Sequence, residues 1–97
     1  MVVIELVYQK SLVEVDKYVE VHRAWLDEAY QQGLLLASGP KQPRDGGIII
    51  ALMDKETARQ WITADPFYQH DLAEYKITEF EAVKYCAELV NKVNTRA

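Results

Sequence analysis

Few side chains in this sequence are equipped for chemistry. Of its two histidines, His22 falls among Val15, Tyr18, Val19, Leu26, Ala29 and Tyr30, which share one face at helical spacing. An imidazole on such a face is either structural, satisfied by a backbone carbonyl, or placed to move a proton. In the second role it would exchange a proton with a bound phenol or enol, because an imidazole changes charge near neutrality. Asp65 precedes Pro66. Asp-Pro serves as turn chemistry, the carboxylate bonding nearby amides; placed beside His22, the same carboxylate would fix the imidazole tautomer and raise its basicity. Ser38-Gly39-Pro40 closes an apolar run and brings a hydroxyl and an approachable backbone to a strand end, features that suit a ligand contact or a plain turn. Trp25, Trp61, Phe67 and Tyr68 are large apolar surfaces that build either a core or a pocket wall. Arg23 is turned about 100° from His22 on a helix, which predicts a surface or interface charge. His70 is expected to be exposed, and with His22 it lacks an evident third ligand for a metal. No phosphate-binding glycine loop or nucleophile elbow is present.

Something must hold these groups, and 97 residues allow one compact core. At 49% hydrophobic and 27% charged residues the composition is that of a globular chain, far from a disordered one. The formal charge is −4 and lysines and arginines are scattered, whereas a nucleic-acid surface needs a concentrated basic patch. A single cysteine, Cys86, excludes an intrachain disulfide and a cysteine zinc site, and fits a reducing, cytoplasmic setting. No apolar run reaches the roughly 20 residues that cross a bilayer, and the chain starts directly on Val2-Val3-Ile4 without a basic leader.

Periodicity supplies the elements. Val2 to Tyr8 reads as a strand that Lys10-Ser11 ends, and Val15 to Gln32 as a helix with Gly33 as its left-handed cap. Leu34 to Ala37 is a second strand, and Ile48 to Met53 a third, reached through Pro43 and Asp45-Gly46-Gly47 in a long hairpin. Asp54 is placed to cap a helix that carries Ala58, Trp61 and Ile62 inward and ends near Ala64, because Pro66 disfavours helical dihedrals at Asp65. Tyr75 to Tyr85 alternates as an edge strand, Cys86 to Val93 forms a short terminal helix, and the last residues are expected to fray.

The order strand-helix-strand-strand-helix-strand is the α+β, ferredoxin-like βαββαβ arrangement, a four-stranded antiparallel sheet with helices on one face. That leaves a second face. The third strand is apolar on both sides and the first nearly so, broken by Glu5, which is the mark of a sheet covered twice. A homodimer through the bare sheet face is the simplest cover.

His22-Arg23, Leu34-Leu35-Leu36-Ala37-Ser38-Gly39-Pro40, Asp45-Gly46-Gly47 and Ala64-Asp65-Pro66-Phe67, in this order and spacing, resemble the YciI-related family over most of the chain, from the first strand to about Tyr85. The resemblance implies a dimeric α+β barrel with a core over about residues 1–85 and an extension over residues 86–97. It implies a His-Asp pair, His22 and Asp65, in a pocket between helices and sheet, with Ser38, Gly39, Pro40 and Phe67 as substrate-binding positions, and no cofactor or metal. The family includes a dehydrochlorinase of chlorinated hydroxyquinols, and muconolactone isomerase-like enzymes share the architecture. His70-Asp71 departs from the small Ala-Gly pair usual there, which is expected to alter the pocket rim. The expected function is a lyase or isomerase acting on a small cyclic substrate. Its rivals are a non-catalytic dimeric small-molecule-binding or accessory domain and a cofactor-free monooxygenase. A concave pocket holding both His22 and Asp65 favours catalysis, and a dry, packed His22 favours the binding domain.

Overall fold

A computed structural model describes residues 1–93 of the chain. Strands β1 (Val2–Tyr8), β2 (Leu35–Pro40), β3 (Gly46–Ala51) and β4 (Ala73–Glu79) form one antiparallel sheet in the order β2-β3-β1-β4. Between β1 and β2 lie α1 (Leu12–Asp16) and α2 (Val19–Gln31). Between β3 and β4 lie α3 (Lys55–Trp61), a 3₁₀ turn (Ile62–Ala64) and α4 (Pro66–Gln69); a second 3₁₀ turn (Ala87–Leu89) and α5 (Val90–Val93) end the described chain. This is the expected ferredoxin-like α+β fold. The expected fraying of the last residues lies outside the described residues.

Alternation on the central strand sets the layers. Val2, Ile4 and Leu6 of β1 are fully or nearly fully buried, together with Ile49 and Ala51 of β3, under Val15, Leu26, Ala29, Ala58, Ile62 and Phe67 from the helical side. Burying each large apolar side chain contributes about 1.5–3 kcal/mol. A one-residue slip of β1 would turn Glu5 inward and three such residues outward, so the register is strongly determined. On the opposite face Val3 pairs with Ile50 and Glu5 with Ile48. Val3, Ile48 and Ile50 stay partly exposed there, and Glu5 meets Lys41 Nζ at 3.1 Å.

Local chemistry explains most boundaries. Asp54 Oδ1 accepts from the Thr57 amide at 2.7 Å and starts α3 as expected. Gly33, at φ 75°, closes α2, with its amide and that of Leu34 bonded back to Tyr30 and Ala29 carbonyls. Gly46 is the glycine the sheet requires, because a Cβ there would lie 1.8 Å from the Leu6 carbonyl oxygen.

Several boundaries differ from expectation: β3 runs Gly46–Ala51 and not Ile48 to Met53, and the helix after it is α-helical only to Trp61, with a 3₁₀ turn to Ala64 and a further short helix, α4, from Pro66. The first helix is two: Ser11 Oγ caps α1 by accepting from the Glu14 amide, and the chain leaves helical geometry at Tyr18 (φ −118°, ψ 6°), whose ring stacks on His70 at 4.0 Å. Strand β2 begins at Leu35 and runs on through Ser38-Gly39-Pro40, with a bulge between Leu35 and Ala37. Pro40 fits because β2 is an edge strand and needs no outward amide. Strand β4 spans Ala73–Glu79 and not Tyr75 to Tyr85: its partner β1 begins at Val2, opposite Glu79, and beyond that pair the bonds between Met1 and Phe80 close the ladder. The last expected helix, from Cys86 to Val93, starts as the 3₁₀ turn Ala87–Leu89 and is α-helical only over Val90–Val93.

Candidate functional site

Asp65 is the only fully buried ionisable side chain among the described residues. It ends the 3₁₀ turn after α3 and is also the N-cap of α4, an extended residue (φ −68°, ψ 126°) that Pro66 favours. Its Oδ1 accepts from the Phe67 amide at 3.0 Å and from His22 Nδ1 at 2.7 Å. Its Oδ2 accepts from the Tyr75 hydroxyl at 2.5 Å. Three donors therefore converge on two oxygens that no water reaches. Asp65 enters the site as a helix cap, and the His22 contact follows from where α2 crosses that cap.

The imidazole of His22 is held on a second side. Its ring stacks on Phe67 with centroids 4.0 Å apart and planes 2° from parallel, and Trp25 lies tilted against it at 5.8 Å. Asp65-Pro66-Phe67 thus supplies the carboxylate that bonds Nδ1 and the face on which the ring lies. Facing a carboxylate oxygen, Nδ1 is the donor of this bond, and in the neutral imidazole Nε2 then presents a lone pair. Nε2 has no hydrogen-bond partner among the described residues, and no polar side-chain atom among them is both buried and unpaired. It therefore opens to accessible space.

His22 also borders a cavity of about 340 Å³ between α2 and the β2-β3-β1 part of the sheet. Leu6, Val19, Leu26, Ile49 and Phe67 give it an apolar lining. His22, Ser38, Gly39, Pro40 and Phe67, expected as site residues, all border it. Asp65 does not; it stands behind His22 and touches the cavity only through the imidazole. The Ser38 hydroxyl is bonded to the Tyr30 hydroxyl at 2.8 Å, so part of its hydrogen-bonding capacity is already taken. A Cβ on Gly39 would meet nothing within 4 Å, and the residue pairs with Ile48 in extended strand, so the sequence position is not sterically required. Trp25 and Trp61 stack on each other at 4.1 Å beside the site and do not line the cavity. Tyr68 tilts against Tyr75 at 5.8 Å, also away from it.

His70-Asp71 is not at the rim either. His70 stacks on Tyr18, and Asp71 takes a left-handed turn (φ 54°). Arg23, expected as a surface or interface charge, is exposed and also borders the cavity, because it lies one turn after Val19 and nearly one before Leu26 on the same side of α2. Arg44 closes another side, bonded to Asp16 at 2.5 Å and lying 5.9 Å over the Tyr8 ring.

Tyr75 was not identified from the sequence. The available signal was alternation on β4, where Ala73, Tyr75 and Ile77 turn inward and a phenol so placed needs an acceptor. Burial pushes the Tyr75 phenol far above the ordinary tyrosine range, and the Asp65 carboxylate pushes it further, so the hydroxyl stays a neutral donor. No group of three or more His, Cys, Asp or Glu among the described residues is arranged to hold a metal ion.

Comparisons with known proteins agree on the fold. A family model for the YCII-related domain matches residues 1–81. Among solved structures, 5-chloro-2-hydroxyhydroquinone dehydrochlorinase from Burkholderia phenoliruptrix AC1100, in complex with 2,5-dihydroxybenzoquinone, superposes with a TM-score of 0.65. It is 16% identical over 91% of this chain and 98% of that one. A comparison with curated proteins finds no match.

Proposed function

Because the chain belongs to the YCII-related domain family, whose model spans residues 1–81, we propose that it is a cofactor-independent enzyme of lyase or isomerase type on a small cyclic, aromatic-derived substrate. The observation that carries this reading is the His22 imidazole itself. Its Nδ1 is bonded at 2.7 Å to a buried carboxylate, its Nε2 has no partner among the described residues, and the ring borders a cavity the size of a single substituted ring.

In this reading Nε2 takes a proton from an acidic C–H or O–H of the bound ring. The imidazolium so formed faces the Asp65 carboxylate, which stabilises it without taking its proton. For an isomerisation Nε2 returns the proton to another ring atom; for an elimination the electron pair expels the leaving group and the proton passes on to solvent. Ser38, Gly39 and Pro40 border the ring and Phe67 sets the imidazole plane. The dehydrochlorinase of similar fold, which binds a dihydroxybenzoquinone, motivates the ring chemistry.

The protein is further proposed to be a cytoplasmic homodimer joined through the sheet face that carries Val3, Ile48 and Ile50. That face is apolar at its centre and lies opposite the helices.

The test is turnover of a panel of chlorinated hydroquinones and hydroxylated quinones. His22→Asn is expected to lower kcat by about 10²–10⁴, the usual range for a general acid/base. With Asp65→Asn added, the loss should be little greater than that of the worse single variant. A second reading has its own support: Asp65 also caps α4 and holds Tyr75, bonds that serve the fold without any catalysis. Ligands that bind the cavity but are never turned over, and whose binding survives His22→Asn, would favour that binding-domain reading.

A further inference from the structure

Two arginines and one aspartate supply the charged side chains around the cavity, an excess of one positive charge on a chain of formal charge −4. The arginines are not equivalent. Arg44 is neutralised by Asp16 at 2.5 Å and spread over the Tyr8 ring. Arg23 has neither an ion pair nor a hydrogen bond through its guanidinium among the described residues, although Glu20 and Asp27 lie one turn before and after it on α2. A pairing with Asp27 would run in the less favourable order for a helix, cation first, and none forms. One free guanidinium thus stands at the rim of an apolar cavity, one residue from the imidazole that borders it.

A guanidinium presents its N–H groups as a fork that matches the two oxygens of a carboxylate. A dianion such as phosphate fits less well, because Asp27 borders the same cavity and would repel the second charge. The apolar lining suits a ring, and the fork at the rim suits one carboxylate projecting from it. We propose that Arg23 is the specificity residue of this site and that its natural ligand is a ring bearing a single carboxylate. The inference rests on the reading of the cavity as the substrate site, and it adds the ligand's charge and the residue that reads it.

The experiment uses two probes with the same ring, 2,5-dihydroxybenzoate and hydroquinone, titrated at low salt into the full chain while the imidazole NMR signals are followed. With only two histidines, His22 and His70, the assignment is direct. Wild type is expected to bind the carboxylate about tenfold more tightly than the neutral ring, as a charged hydrogen bond at a partly exposed position gives. Arg23→Gln should bring the carboxylate down to the level of hydroquinone and leave hydroquinone itself unchanged, with Arg23→Lys intermediate because it keeps the charge and loses the fork. Equal affinity for the two probes in wild type overturns the proposal, and so does a preference that survives Arg23→Gln, which would assign the anion to Arg44. If neither probe moves the His22 signals, the cavity reading falls and this inference with it. Binding of hydroquinone without charge preference removes the inference alone.

Discussion

Replacing Tyr75 by Phe deletes one oxygen and keeps the ring, so no cavity opens and the Tyr68 contact at 5.8 Å is preserved. What is lost is an O–H···O bond of 2.5 Å to a carboxylate that is 0% exposed. Water cannot replace the donor, so Oδ2 is left buried and unpaired. Hydrogen bonds to charged groups contribute about 1.5–3 kcal/mol, and the burial places this one near the middle of that range or above, at about 2 kcal/mol. For a chain of this size that is roughly 10 °C in Tm, out of a total stability that for domains is about 5–15 kcal/mol. Urea unfolding at one fixed protein concentration measures it, with the slope unchanged and the midpoint lowered. The deficit should also depend on pH in a defined direction. The phenol is held protonated in the folded chain but ionises near pH 10 when unfolded, so its contribution is complete below pH 10 and fades as the pH rises further. Wild type and Tyr75→Phe should therefore converge in alkali. A change below about 0.5 kcal/mol at neutral pH, or a deficit that grows above pH 10, would refute the bond to Asp65 as the source.

Two further expectations concern the sheet. Gly46→Ala places a Cβ 1.8 Å from the Leu6 carbonyl oxygen and must prise β3 from β1, at a cost above about 3 kcal/mol, whereas Gly39→Ala enters open space and should shift unfolding by no more than about 0.5 kcal/mol. Equal melting losses in the two variants would contradict this reading of the register. Ile50→Asp puts a charge at the centre of the proposed dimer face, opposite Val3 and Ala37. Light scattering should find wild type dimeric at micromolar concentration and Ile50→Asp monomeric or unfolded, and a monomeric wild type would remove the dimer altogether.

The sequence made legible what strict periods encode. Alternation over Val2 to Tyr8 set both faces of the central strand, and Asp54 and Gly33 announced a helix start and a helix end through backbone chemistry that reads locally. Boundaries that depend on a partner were not legible. Strand β4 ends at Glu79, opposite Val2 where β1 starts, with only the Met1–Phe80 bonds continuing the pairing, and that limit is a fact about another strand which the strand-like composition of residues 80–85 does not carry. The split at Tyr18 likewise has no Gly or Pro to mark it, although Ser11 with Glu14 three residues later was a cap signal for α1. Arg23 is the exposed charge expected, and its place on the cavity border went unseen for a geometric reason: a 100° turn from His22 suffices to leave a narrow packing stripe, but not the wider arc that a cavity subtends, which runs from Val19 to Tyr30.

The same distinction explains why the site residues divide as they do. His22, Ser38, Pro40 and Phe67 border the cavity because each lies on an element whose face the pattern fixes. Asp65 is different in kind, since its position is dictated by the proline that follows it and by the amide of Phe67 that it must cap. A helix cap leaves a carboxylate with acceptor capacity to spare, and in the interior that capacity has to be filled. His22 fills it from α2 and Tyr75 fills it from β4, so the bonds that satisfy a buried charge also tie the two helical segments to the edge strand. Fold and candidate site therefore share one carboxyl group. Removing Asp65 must weaken both together, whereas His22→Asn, which can still donate to the carboxylate, bears mainly on the group that faces the cavity.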